Sequence, residues 1–341
     1  MHKQSGAQNA KIGFQLRQNI MKFFSSFAIL ILLVTLSLSY ETFLGKMNVT
    51  NLLRDTAPLM IMAAGMTSVL VFGSIDLSMG AICSVSNVLF VKFLNDYAAQ
   101  LENVTQQDVL FATICAFALA LGFGLIAGFL MGIVHVKLKV PSFIASLGFM
   151  SLWQSAALLI AEAPISVPKV MWGAVDWFKV SYGVVGLPLI LAIVLVLLLF
   201  GFQGFTTFGK NLYAIGGNER AARIAGIPVD RTKIMVFTIN GLCAALGGIF
   251  LAAKLRSCAP KIGDPFTLLI VASCVLGGTS LSGGRGSVLG TILGVFTVAL
   301  INNGMTFANV DAYWQNVVFG IFVLVAIALS VDRSTRGLVV K

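Results

Sequence analysis

Runs of apolar residues without a single charged side chain recur along almost the whole chain, and no other feature constrains the fold as much. They are Phe23–Tyr40, Val109–Val134, Val140–Ala161, Val180–Gly209, Ile234–Ala253, Pro265–Gly284, Gly286–Val310 and Ala312–Val331. A bilayer core about 30 Å thick is crossed by about 20 residues of helix. In hydrocarbon a backbone must satisfy its own N–H and C=O groups, which a helix does within one segment. Thr56–Val91 is long enough for a pair of spans and holds one charged residue, so ten spans are expected in all. Only 11% of the residues are charged, against about 25% in soluble domains. The fold class is therefore all-α, a polytopic membrane protein with interrupted helices.

The net charge of +10 raises the question of nucleic acid, and its distribution answers it. With the N-terminus inside and ten alternating helices, the inner segments hold 15 of the 23 Lys and Arg but only 4 of the 13 acids. That is the bias of a membrane protein with both termini cytoplasmic, and no nucleic-acid partner is implied. One outer segment, Lys254–Lys261, carries three basic residues and fits that pattern poorly. The five cysteines have no metal-type spacing and read as buried free thiols. The first run is too long for a signal-peptide core and reads as the first anchor.

Asp76, in "VFGSIDLSMG", is the lone carboxylate of Thr56–Val91. A charge held in hydrocarbon costs about 2.5–3.5 kcal/mol on insertion scales. Two compatible readings meet that cost. Asp76 caps a helix whose first turn is Leu77-Ser78-Met79, or the capped break also lines a pathway. Proton coupling would need a second ionisable partner, and none is visible. VFGSIDLSMG also echoes VLGGTSLSGG (Val275–Gly284) at five of ten positions, a weak match in glycine-rich sequence. Both interrupt apolar runs, and such breaks are tolerated where they are buried in protein or line a cavity. The glycines inside other runs, as in "LGFGLIAGFLMG", read chiefly as close helix packing.

No G-x-x-x-x-G-K-[ST] loop is present, so ATP hydrolysis by that route is excluded. Neither metal ligands nor catalytic side chains cluster in the spans, and no cofactor is expected. The informative polar segment is Thr206–Lys233. Within it Asn218 is an N-cap, Glu219 opens a helix, and Gly226 with Pro228 closes it. A two-turn helix is marginal alone. It is either an ordinary solvated loop helix or one that docks on a partner. Pro164–Lys179 reads as an outer loop with a short interfacial helix, its Trp residues at headgroup depth.

At these residues the chain becomes recognisable. "GKNLYAIGGNERAARIAGI" (Gly209–Ile227) resembles the cytoplasmic-loop signature of the ribose-type sugar permeases of ABC importers, a group that also includes branched-chain amino-acid permeases. "GSIDLSMG" (Gly73–Gly80), "VPSFIASLGFM" (Val140–Met150) and "VLGGTSLSGGRGSVLG" (Val275–Gly290) resemble further family blocks in the same order. The resemblance implies one permease domain, 23–331, between cytoplasmic tails 1–22 and 332–341. Residues 206–233 form its coupling loop, in the bacterial plasma membrane. It implies a separate cytoplasmic ATPase, usually a tandem one, that consumes the ATP. It also implies an extracytoplasmic sugar-binding protein and a second permease subunit, identical or not. Gly216, Gly217, Asn218, Glu219, Ala221, Ala222, Arg223 and Gly226 would be the ATPase-coupling residues. Asp76, Ser78, Asn87, Trp153 and Asn303 would belong to the helix break and pathway, although helix–helix hydrogen bonding accounts for most polar groups in such spans.

Two departures bear on the solute. Where such permeases commonly show an acidic "ELDAIAA", this chain has "TLLIVAS" (Thr267–Ser273), and Phe319 stands where Lys is frequent. The solute is thus a monosaccharide or a sugar-like molecule, its identity open between pentose, hexose, a sugar-like signal and nucleoside. The rival readings are a stand-alone secondary carrier or channel and a polytopic membrane enzyme. Both lack the ionisable residues they would need in the spans.

Overall fold

The computed structural model describes residues 29–311, 313–315, 317–321 and 324. The expected tails 1–22 and 332–341, and parts of the first and last apolar runs, lie outside the described residues. The chain is helical almost throughout, as its apolar runs require. The helices are α1 (Ile29–Ser39), α2 (Lys46–Val71), α3 (Met79–Ala99), α4 (Gln106–Lys137), α5 (Ser142–Ile160) and α6 (Leu187–Phe205). They continue with α7 (Thr207–Gly217), α8 (Glu219–Ile224), α9 (Val229–Leu255), α10 (Asp264–Leu276) and α11 (Val288–Phe307).

Five of them, α4, α5, α6, α9 and α11, are long and apolar enough to cross a membrane. Their burial divides them into layers. The apolar stretches of α4 and α5 are only 22% and 17% buried, whereas that of α9 is 67% buried. Helix α2 is buried at every residue from Thr56 to Val71. Thus α2, α3 and α9 form the interior, and α4, α5 and α6 turn apolar side chains outward, where lipid replaces protein as their solvent.

Small residues permit the closest of these approaches. A Cβ on Gly128 of α4 would lie 2.3 Å from the Phe237 carbonyl of α9, and one on Gly241 of α9 would lie 2.3 Å from the Gly124 carbonyl. Only glycine fits at that contact. The start of α4 is fixed by a capping box, in which Thr105 accepts from the Asp108 N–H and the Asp108 carboxylate accepts from the Thr105 N–H at 2.9 Å.

Two helix pairs are interrupted. Between α2 and α3 the backbone leaves helix from Phe72 to Ser78, and between α10 and α11 from Gly277 to Ser287. Helix α10 has 13 residues, about 20 Å at 1.5 Å per residue. It stops short of the full run Pro265–Gly284. Both preceding helices close with the same motif. Gly73 at φ 84° donates to Leu70 and Ser74 donates to Val69; Gly278 at φ 84° donates to Val275 and Thr279 to Cys274. The equivalence is Gly73 with Gly278, one residue out of step with the ten-residue sequence echo.

Among the described residues sheet is confined to two short ladders. Strand β1 (Ile165–Ser166) pairs antiparallel with β4 (Ser257–Cys258), and β2 (Ser181–Tyr182) with β3 (Val185–Gly186). The interfacial helix expected within Pro164–Lys179 is two 3-10 turns, Lys169–Ala174 and Asp176–Lys179. The β1–β4 clasp brings this loop against the end of α9, where two of the three basic residues of Lys254–Lys261 find acidic partners. Arg256 hydrogen-bonds Asp176 and lies 3.9 Å over the Trp172 ring, and Lys254 pairs with Asp55 at 3.0 Å. All five thiols are free, four of them buried.

Candidate functional site

Three places bring polar side chains together: the break after α2, the α7–α8 segment, and a cavity at the other end of the bundle.

Asp76 lies in the first break and is 0% exposed. One oxygen accepts from the Ser78 N–H at 2.9 Å and from the Ser78 hydroxyl at 2.5 Å; the other accepts from the Asn240 amide of α9 at 2.9 Å. Three donors satisfy the carboxylate in a place where an unpaired one would be costly. Helix α3 begins at Met79, two residues later than the sequence suggests, because Asp76 folds the chain through an Asx turn before the first helical residue. Ser78 occupies the N-cap position without a side-chain capping bond of its own. Among the described residues no Lys or Arg pairs with Asp76.

The two breaks meet. The Gly284 N–H donates to the Val71 carbonyl at 2.6 Å, and Gly73 packs on Gly283. Helix α7 closes over this junction. A Cβ on Gly216 would stand 1.9 Å from the Val71 carbonyl oxygen, and the Tyr213 hydroxyl donates to the Gly286 carbonyl at 2.9 Å. Reading the loop by its caps alone missed α7. Its signal is Thr206 as N-cap, accepting from Gly209, followed by Phe208, Leu212 and Ile215 at helical spacing.

Helix α8 follows after one residue. The Asn218 side chain accepts from Ala221 N–H at 3.0 Å, as the sequence implies. Gly226 at φ 79° ends the helix, with Gly226 N–H to Arg223 and Ile227 N–H to Ala222. Glu219 bonds Lys233 at 2.8 Å and Arg223 at 3.3 Å, and Arg223 reaches Asp230 at 2.8 Å. Burial works to raise the Glu219 carboxyl, but Lys233 and Arg223 outweigh it and hold the group below its ordinary value. Asp230 and then Glu219 hold Arg223 charged more firmly than a free guanidinium. These contacts fasten α8 to the first turns of α9. Ala222 faces inward and is buried, while Gly217, Ala221 and Ala225 are exposed. Among the large apolar side chains of this segment the exposed one is Ile224, at 83%, which sequence reasoning did not single out. Arg220 shares its face at i, i+4 spacing.

The cavity, about 320 Å³, lies between α2, α9, α10 and α11. Asp55, Thr56, Lys254, Asn302, Asn303 and Thr306 are among its polar lining residues, and Leu59, Phe266 and Leu269 among its apolar ones. Along α9, Lys254 stands 25 positions beyond Val229, on the order of 35 Å from α8.

The five break and pathway candidates separate accordingly. Asp76 and Ser78 hold the break. Asn87, fully buried, donates to Gly248 at 3.0 Å and accepts from Ala259 N–H at 3.1 Å, clamping α3 to α9. Trp153 stacks on Phe149 and meets Phe123 edge-on, between α5 and α4, its buried Nε1 unpartnered among the described residues. Asn303 alone reaches the cavity, and exchanges amide bonds with Asn48 at 3.0 and 3.1 Å. Among the described residues no three His, Cys, Asp or Glu side chains gather as metal ligands do.

Residues 48–327 match the family described as branched-chain amino acid transport system / permease component. The ribose import permease protein of Bacillus subtilis (strain 168) is 35% identical, over 89% of this chain and 91% of its own length. The xylose transport system permease protein of Escherichia coli (strain K12) is 32% identical, over 86% of each chain. The galactose/methyl galactoside import permease protein of Haemophilus influenzae is 30% identical, over 89% of this chain and 92% of its own.

Proposed function

The chain belongs to the branched-chain amino acid transport system / permease component family, and from that premise we propose how it acts as the membrane permease subunit of a bacterial ABC sugar importer. It is a multi-pass inner-membrane protein that works with an ATPase and a solute-binding protein. In our reading the ATPase is a tandem two-domain protein, a second permease completes the path, both termini are cytoplasmic, and ATP is used only by the partner. The solute is a monosaccharide or sugar-like molecule of the ribose type.

One observation supports the coupling role above the rest. A two-turn helix that would be marginal alone is capped at both ends, braced on α9 by ion pairs, and presents an exposed isoleucine. That is a rigid knob without a covering surface. The ATPase groove supplies the surface, with Ile224 as the buried contact. Movement of α8 then passes through α7, by way of Gly216 and Tyr213, into the junction of the two breaks. A rigid-body shift of packed elements is a known way to carry such a displacement, and here it would reopen the path between α2, α9, α10 and α11.

Reconstitution of this chain with its ATPase and binding protein in proteoliposomes tests the reading. ATP hydrolysis should rise with one sugar and require all three proteins. Solute movement by this chain alone, without ATP, would refute it and favour a stand-alone carrier.

A further inference from the structure

We propose that the 320 Å³ cavity is the site that receives the solute from the binding protein, and that it is built for a neutral polyhydroxylated ring; this rests on the importer reading above. The volume sits at the small end of the range for small-molecule sites, about 300–1,000 Å³. Its chemistry is two-sided. Asp55 and Lys254 are the charged groups of the wall, and they neutralise each other at 3.0 Å. An ionic or zwitterionic solute would need one of them free, whereas hydroxyl groups can bond both without parting them. The Asn302 side-chain amide has no partner among the described residues, so it offers both a donor and an acceptor to the cavity. The Thr56 and Thr306 hydroxyls donate to backbone carbonyls one turn back, leaving their oxygens as acceptors. Phe266, Leu59 and Leu269 line it as well, apolar surface for the C–H face of a sugar ring. Hydroxyl-bonding groups together with an aromatic match a saturated ring that carries its hydroxyls at the edge. The contacts are few and the paired wall carries no net charge, as suits a site that must release what it receives.

The test uses the complete reconstituted importer, with D-ribose, D-xylose and D-galactose as probes. Asn302→Leu should lower uptake of the transported sugar about fivefold, the worth of one neutral hydrogen bond. Asn302→Gln, which keeps the amide, should recover most of it. In a Thr306→Cys variant, the transported sugar should slow reaction of the new thiol with a membrane-impermeant maleimide. Wild-type uptake in Asn302→Leu, or labelling indifferent to the sugar, would overturn the assignment while leaving the importer reading intact. Failure of the unaltered importer to move any of the sugars would overturn both.

Discussion

Asp76 shows how a carboxyl group is kept inside an apolar bundle with no cationic partner among the described residues. Its two oxygens take three hydrogen bonds, one of them from the Asn240 amide on α9. The side chain therefore ties the start of α3 to the middle of α9. Asp76→Ala would leave three buried donor groups without this acceptor, a loss of about 2–4 kcal/mol. A melting temperature in detergent equal to that of the parent would rule this role out. Glu219 makes the complementary case at the surface. Its carboxyl is held below the ordinary 4.5 by Lys233 and Arg223 against the effect of burial. A lowered folded value means that the stabilisation is complete above 4.5 and drains away as pH falls through the folded value. The melting gap between parent and Glu219→Gln should accordingly be widest at neutral pH and close below 4.5, while staying within about 1 kcal/mol because the pair is solvated. A gap that widened in acid would show the sign to be wrong.

At the level of elements, the proposed coupling route makes α7 and α8 one lever. Gly216 and Gly217 are neighbours in sequence but not in consequence. A Cβ at Gly216 meets the Val71 carbonyl at 1.9 Å, and one at Gly217 meets nothing within 4 Å. Gly216→Ala should cost about 1–3 kcal/mol through overpacking and reduce sugar-stimulated ATPase activity; Gly217→Ala should do neither. Equal behaviour of the two would remove α7 from the proposed route. Ile224→Ser tests the other end of the lever. An isoleucine buried at an interface is worth about 1.5–3 kcal/mol, so ATPase association should weaken about tenfold or more with the melting temperature unchanged. The caps of α8 were legible from Asn218, Glu219 and Gly226 because capping is local. The orientation of the helix was not, since Ala222 faces inward only through its packing.

Across the molecule, α8 and the cavity lie at opposite ends of α9, and the proposed alternation of ten spans would put them on opposite sides of the membrane. In Arg220→Cys and Lys261→Cys variants, an impermeant thiol reagent should reach the second from outside intact cells and the first only after permeabilisation. Labelling of both from one side would break the alternation.

The sequence by itself determined the class of the molecule, its apolar runs, the two breaks and the ends of α8. Hydropathy, glycine and capping chemistry act within a turn or a span, so they can be read from neighbouring residues. Only the tertiary structure decided which polar groups meet. It joined Asp55 to Lys254 and Arg256 to Asp176, removing an apparent fault in the charge pattern. It bonded Asn87 to Gly248 and Ala259 and set Gly216 at the junction of two distant breaks. Those pairings join residues far apart in the chain, and what selects them is the close packing of small side chains between helices, which no local pattern records.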